Sequence, residues 1–353
     1  MRCLSSSGER KIGLIGRVGD GAELFDGQTV KTRNMLRLLQ EQYGEEAVLV
    51  VDTLDWRQRV PQIIAGTRRC LRECRDVVIL LSTNGRRVLF PILARSARRR
   101  GTRVYQNLIG GCLASNLEKY PQWVGYLNAF KVNWVESHKL VDDLAAKGVI
   151  NAKYLPNFKH LDLPKILEER AYGDGWRFCT FSRVMEQKGI SDAMRAVEGL
   201  NGGDGRTYSL DVYGPVDGGY KAELDALLRE CPHCTYRGSV PASESVGTVA
   251  GYDALLFPTK WRSEGIPGTI IDALTAGVPV IGAKWQYYGE MLEDGATGYG
   301  YELGRNDLLP DAIRRFVGLT DEERNVMRRA CLERAKAYTP EAVAGEIRRE
   351  IGR

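Results

Sequence analysis

The feature that most constrains this chain is a rhythm that runs through it twice. Short apolar or β-branched runs alternate with longer amphipathic stretches, which is the pattern of parallel sheets covered by helices. In the first pass the runs stand at Lys11–Gly16, Ala47–Val51, Asp76–Leu81, Thr102–Gln106 and Val132–Val135, with a helix expected over Thr29–Tyr43. The rhythm breaks at Pro156–Pro164, where two prolines and polar residues read as a linker. It restarts at Trp176–Ser182 and continues at Tyr208–Tyr213, Ala254–Phe257 and Val278–Ile281. From Pro310 the chain reads as helices, with Pro340 in the first turn of the last one. At 353 residues the chain is longer than one hydrophobic core normally serves, roughly 250–300 residues. The expected fold is therefore α/β: two Rossmann-like, doubly wound domains at 1–158 and 165–338, with 339–353 a helix packing back on the first. Two such lobes imply a cleft between them.

Composition removes several classes. A hydrophobic content of 43% excludes wholesale disorder. No run approaches the ~20 apolar residues that span a bilayer, and Met1–Lys11 has no apolar core of a secretion signal, so a cytoplasmic protein is expected. The eight cysteines are scattered, as reduced thiols are. Cys231-Pro-His-Cys234 has a zinc-like spacing, but a structural zinc site needs more ligands and none is visible nearby, so an ordinary turn is expected.

The net charge of +5 conceals an asymmetry. Residues 1–158 hold 25 basic and 15 acidic side chains, and the remainder 25 and 30. The first lobe is thus basic and the second acidic. Seven arginines between Arg86 and Arg103 flank the apolar Val88–Ala94 with no acid among them. That stretch is either a surface helix or a segment lying on anionic lipid headgroups, which would make the protein peripheral on the membrane. Nothing points to nucleic acid.

In doubly wound sheets ligands bind beyond the carboxyl ends of strands, so the loops that follow strands carry the information. The first, Gly16–Gly21, offers glycine amides ahead of a helix, which suits either an anion or a tight turn, and no Gly-Lys-Ser/Thr follows. The second, Phe181–Ile190, carries Arg183, a planar fork, and Lys188, a mobile point charge, a pair suited to a diphosphate. The third, Lys260–Leu274, places Glu264 before a helix whose first turn is expected to hold Pro267, with the Gly265 and Gly268 amides open to a hydroxylated or anionic ligand. Asp272 lies one turn beyond Gly268 in a largely apolar helix, so both acids are expected to line one pocket.

The run Glu264–Asp272, with Ala276–Ile281 and Glu290–Gly298 after it, resembles the nucleotide-sugar site of glycosyltransferase family 4, retaining enzymes of the GT-B fold. Phe181–Gly189 and Leu210–Pro215 resemble that family's other donor-lobe motifs. Tyr105–Leu113 and Leu155–Phe158 resemble its bacterial capsular and exopolysaccharide branch. The resemblance implies a two-lobed enzyme that transfers a hexose, with retention, from a nucleotide diphosphate sugar, expected to be a UDP-hexose. The implied acceptor is a saccharide or lipid-linked glycan of polysaccharide biosynthesis. Arg183 and Lys188 would stabilise the departing diphosphate. Glu264 would contact donor hydroxyls beside Gly265, Ile266, Pro267, Gly268 and Thr269, and Asp272 would hold the ribose. Gly214 belongs to the same donor set, Glu290 would organise its adjacent loop, and Gly19 and Gly21 would close over the phosphates from the other lobe. Asn107, Gly110 and Gly111 would face the acceptor. No metal or other cofactor is expected, because fixed cations meet the leaving group's charge. Two positions depart from the family. Asp272 stands where glutamate is usual, and the first-lobe histidine is replaced by Gln106–Gly111, with His138, His160 and His233 elsewhere. A silent glycan-binding or scaffolding subunit and a nucleotide-sugar epimerase are the alternatives.

Overall fold

The computed structural model describes residues 11–19, 26–203 and 205–352. They form two units, Met1–Pro156 with Val343–Arg353, and Asn157–Ala342. The first unit holds β1 (Ile12–Gly16), β2 (Val48–Asp52), β3 (Asp76–Leu80), β4 (Arg103–Asn107), β5 (Val132–Val135) and β6 (Ala152–Tyr154). They pair in the order β2-β1-β3-β4-β5-β6, every pair parallel. Helices cover the sheet, so β1, β3 and β5 are buried along their whole length. Local chemistry sets the helix ends. Asp26 accepts the Thr29 amide at the start of Gly27–Tyr43, Ser82 accepts that of Gly85 at the start of Thr83–Arg100, and Gly101 stops the latter in the left-handed region at φ 69°.

The Arg86–Arg103 stretch is largely the helix Thr83–Arg100. Leu89, Phe90, Leu93 and Ala94 are buried, with Phe90 packed edge-on against Trp123 and Phe130. Most of the apolar run is thus spent on the core, while Val88 and Pro91 stay exposed. Arg86 is buried and Arg103 pairs with Asp76, which leaves Arg87, Arg95, Arg98, Arg99 and Arg100 exposed. Among the described residues no helix is long and apolar enough to cross a membrane.

The second unit holds β7 (Gly175–Phe181), β8 (Thr207–Tyr213), β9 (Cys234–Gly238), β10 (Ala254–Phe257), β11 (Val280–Lys284) and β12 (Gly298–Glu302), in the order β12-β11-β10-β7-β8-β9. β11 starts two residues later than expected. Pro279 has no N–H for the ladder, although its carbonyl accepts from Leu255. The core gathers Trp176, Phe178, Leu210, Leu256, Ile313 and Phe316. Thr320 and Glu323 form a reciprocal capping box at the start of Asp321–Ala335. The last helix, Pro340–Ile351, begins at Pro340 as expected, and near its end the Glu350 carbonyl accepts the Tyr105 hydroxyl of β4. Strand order places a switch point between β1 and β3 in the first unit and between β7 and β10 in the second.

Candidate active site

The loops that leave β7 and β10 are neighbours at the second unit's switch point, which is where a doubly wound sheet binds ligands. Glycine makes their approach possible. Gly189 sits at φ +69°, and a Cβ there would lie 2.0 Å from the Pro258 carbonyl oxygen. Gly214, at φ +128°, likewise stands against the Ser182 carbonyl, 1.8 Å from any added Cβ. No other residue fits either position without moving backbone. The Lys260 amide donates to the Gln187 carbonyl at 2.9 Å and ties the two loops together.

This joins two of the expected residues directly. Lys188 Nζ lies 2.7 Å from Glu264 Oε2, with both side chains mostly buried. The ammonium also lies over the Trp261 ring, 5.0 Å from its centroid. Thr259 donates its hydroxyl to the same Glu264 oxygen at 3.2 Å. Glu264 is therefore held from two sides. Lys260 bonds Glu186 and Asp192. Burial opposes its charge, but the two carboxylates outweigh that and hold it above the usual lysine value. Arg183 is exposed and makes no ion pair among the described residues.

Pro267 is the residue before the helix rather than in its first turn. It caps Gly268–Thr275 with an extended backbone, and its carbonyl accepts the Ile270 amide. The Gly268 and Thr269 amides thus head the helix, and neither they nor the buried Thr269 hydroxyl find a partner among the described residues. The macrodipole adds partial positive charge there. The Gly265 carbonyl accepts the Trp285 indole N–H at 3.2 Å, and the Ile266 carbonyl accepts the Asn157 amide at 3.1 Å.

Glu264 and Asp272 do not present one shared pair of acids. Asp272 is buried and bonded to the buried Lys159, whose stem passes 4.0 Å from where a Gly268 Cβ would be. Lys159 was not anticipated, since the linker carries no pattern that singles it out, and Asn157 falls in the Leu155–Phe158 motif without a role assigned to it. The available signal was Asp272 itself, because a carboxylate in an apolar helix demands a counter-charge. At Glu290 the backbone carbonyl accepts from Arg334 and from the Tyr338 hydroxyl.

In the first unit the Gly19 amide is not open to an anion. It donates to Asp52 at 3.0 Å, beside the Val18 amide at 2.9 Å, so the β2 carboxylate already fills this turn. Gly21 lies outside the described residues. Asn107 ends β4, fully buried beside Gln106, and none of the four amide atoms of the two side chains has a partner among the described residues. The loop after them holds the exposed Gly110 at φ +75° and the buried Gly111. Beneath it Lys31 bonds Glu136 and the Leu108 carbonyl, and Arg86 donates to the Ile109 carbonyl. Burial pushes Arg86 down to about 10 and lowers Lys31 despite its carboxylate partner. A cavity of about 420 Å³ opens at the carboxyl ends of β1 to β3. Arg17, Trp56, Ile64, Asn84 and Val88 line it, whereas Asn107, Gly110 and Gly111 do not.

Residues 166–334 match the family model described as Glycosyl transferases group 1. No curated protein matches the sequence. HepE of Anabaena, crystallised with UDP-glucose, superimposes with a TM-score of 0.75 at 13% identity, over 97% of this chain and 99% of that one. Sucrose-phosphate synthase of Thermosynechococcus elongatus gives 0.75 at 13% over the same 97% and 99%. The lipopolysaccharide outer core galactosyltransferase WaaB gives 0.66 at 14%, again over 97% and 99%. The chain has the GT-B fold of these structures, and its residues 166–334 match the glycosyl transferases group 1 family.

Proposed function

We propose that the protein is a retaining glycosyltransferase that moves a hexose from a UDP-sugar to a saccharide acceptor, without a metal at the transfer site. The observation that carries this is the convergence at one switch point of Lys188, Glu264 and the Gly268 and Thr269 amides and Thr269 hydroxyl, which have no partner among the described residues. Cations and a helix N-terminus meet the charge that grows on a departing diphosphate, while a held carboxylate accepts sugar hydroxyls. The bond between the anomeric carbon and the diphosphate oxygen breaks. The acceptor oxygen bonds that carbon on the same face, and its proton passes to the leaving phosphate. Lys188 and Arg183 hold that phosphate, and Asp272 holds the ribose with Lys159 fixing its carboxylate. HepE, crystallised with UDP-glucose, supports the choice of donor.

For the acceptor, the first unit's cavity supports a glycan on an apolar carrier. Trp56, 39% exposed, offers a ring to stack on a sugar, and Ile64 and Val88 offer apolar surface. Asp55, just before it, is the one non-glycine residue at positive φ among the described residues, at 51°, a strain typical of ligand-facing turns. Contact with an anionic membrane then rests on the charge of Arg98, Arg99 and Arg100 rather than on insertion.

The test is a panel of nucleotide sugars, read by slow hydrolysis and by thermal stabilisation, with Glu264→Ala and Arg183→Ala as controls. UDP and one UDP-hexose should raise Tm in the parent chain and much less in the controls. No stabilisation by any nucleoside diphosphate would sink the enzyme reading.

A further inference from the structure

The cysteine pair with zinc-like spacing finds its missing ligand in the fold. Cys231 ends the helix Lys221–Glu230, Cys234 opens β9, and the Cys234 amide donates to the Cys231 carbonyl at 3.0 Å, which folds the two thiols to one side of a tight turn. Glu198, near the end of helix Ile190–Leu200, reaches the same point. One carboxylate oxygen and both sulfurs lie within 4.8 Å of one another, and among the described residues no other three metal-ligating side chains converge so closely. We propose that Glu198, Cys231 and Cys234 bind a zinc ion that pins the end of helix Ile190–Leu200 to the start of edge strand β9.

The chemistry of the donor set selects the metal. Two thiolates and one carboxylate suit zinc, and hard cations such as magnesium or calcium take all-oxygen sites instead. A tetrahedral zinc ion with its ligands at roughly 2.0–2.3 Å holds those ligands about 3.5–3.8 Å apart, so the cluster needs to close by about an ångström at most. Both cysteines are buried, while Glu198 and His233 reach the surface, which gives the ion a way in and leaves its fourth position to water. Glu198 is aimed by its neighbours. Its carboxylate accepts the His233 amide at 3.2 Å and faces the His233 Nδ1 at 3.0 Å, the outer partner that metal-bound carboxylates usually have. The Cys234 thiol donates to the Met194 carbonyl at 3.7 Å, a weak contact that the metal would replace. Binding releases the two thiol protons, so affinity falls with falling pH.

The site lies at the end of helix Ile190–Leu200 remote from Lys188 and Gly189, so it is separate from the proposed transfer reaction. The test uses the full chain, purified reduced and without metal-affinity resin. We expect about one zinc per chain by elemental analysis, and a thiolate-to-metal charge-transfer band when cobalt is substituted. Cys231→Ser with Cys234→Ser should lower the zinc to below about a tenth per chain and abolish the band, and Glu198→Gln should weaken binding at least ~10-fold. Unchanged zinc in the double variant would overturn the assignment, as would a Cys231–Cys234 disulfide with no zinc in fresh protein. Should the double variant fail to fold, the chelator-stripped parent chain decides by zinc titration against a colorimetric competitor. A dissociation constant weaker than about 10 μM, no better than scattered surface ligands provide, would refute the site.

Discussion

Lys159→Met separates the two roles open to Asp272. The two side chains are 3% and 7% exposed as residues, and each is the other's one side-chain partner among the described residues. Removing one end of such a pair leaves a buried charge without a counter-charge, which costs roughly 3–5 kcal/mol, whereas replacing both ends by apolar groups of similar volume is near neutral or stabilising. Lys159→Met and Asp272→Leu should therefore each destabilise the full chain by about 3 kcal/mol in urea unfolding, and the double variant by less than about 1 kcal/mol. The coupling would then be at least ~5 kcal/mol, far outside the ~0.5 kcal/mol within which independent sites add. Because the double variant folds, it also reports on function. If Asp272 holds ribose hydroxyls, the parent chain should be stabilised more by UDP than by its 2′-deoxy analogue, and the double variant should not tell them apart. Losses that simply add would refute the buried pair as a unit. Discrimination that survives in the double variant would refute the ribose role and leave Lys159–Asp272 as architecture.

The other perturbations act one at a time. Lys188→Ala strips Glu264 of its cation and the leaving diphosphate of a positive charge, so kcat, followed by UDP release, should fall on the order of 10²–10³-fold with a smaller change in KM. An equal loss in KM alone would mean the ammonium serves only ground-state binding. Gly189→Ala puts a Cβ 2.0 Å from the Pro258 carbonyl at φ +69°, so it should cost on the order of 1–3 kcal/mol in stability and remove UDP stabilisation together with it. Thr320→Ala breaks the capping box of Asp321–Ala335 and should lower stability by about 1 kcal/mol with transfer unaffected. Replacing Arg98, Arg99 and Arg100 by glutamine should abolish co-sedimentation with anionic vesicles, and unchanged sedimentation would end the membrane reading.

What the sequence made legible follows from burial. β1, β3, β5 and β10 are buried along their whole length and, apart from Asp76 and Asn133, carry no polar side chain, so near-continuous apolar runs survive in the text of the chain. The three strands that went unseen are edge strands. β6 is three residues long with none buried, and β9 alternates polar and apolar positions along an open edge. β12 is hidden by its glycines, which look like turn signals. In fact a Cβ at Gly298 would lie 1.8 Å from the Val280 carbonyl, and one at Gly300 would lie 2.5 Å from the Lys284 side chain, so these glycines mark close packing inside a strand. The site shows the same division. Lys188 and Glu264 were readable because each sits on a loop that must leave the ligand edge of the sheet. Lys159 was not, because its partner stands 113 residues away and only the folded chain brings them together. Glu198 escaped notice for the same reason.

A second kind of information is absent from any motif, namely which polar groups the fold leaves unanswered. Gln106 and Asn107 are consecutive, 1% exposed, and carry four side-chain polar atoms with no protein partner among the described residues. A buried polar group left without any partner costs about 1–3 kcal/mol, so these four atoms call for partners other than the described protein groups. Leucine at either position would relieve that cost and continue the apolar strand. Both residues stand at the carboxyl end of β4, as Thr269 stands beyond the carboxyl end of β10 with its own hydroxyl unanswered. Polar groups kept against the interest of folding stand here at the edges where doubly wound sheets meet their ligands, which is what the proposed ligand-facing role of Asn107, shared with Gln106, predicts.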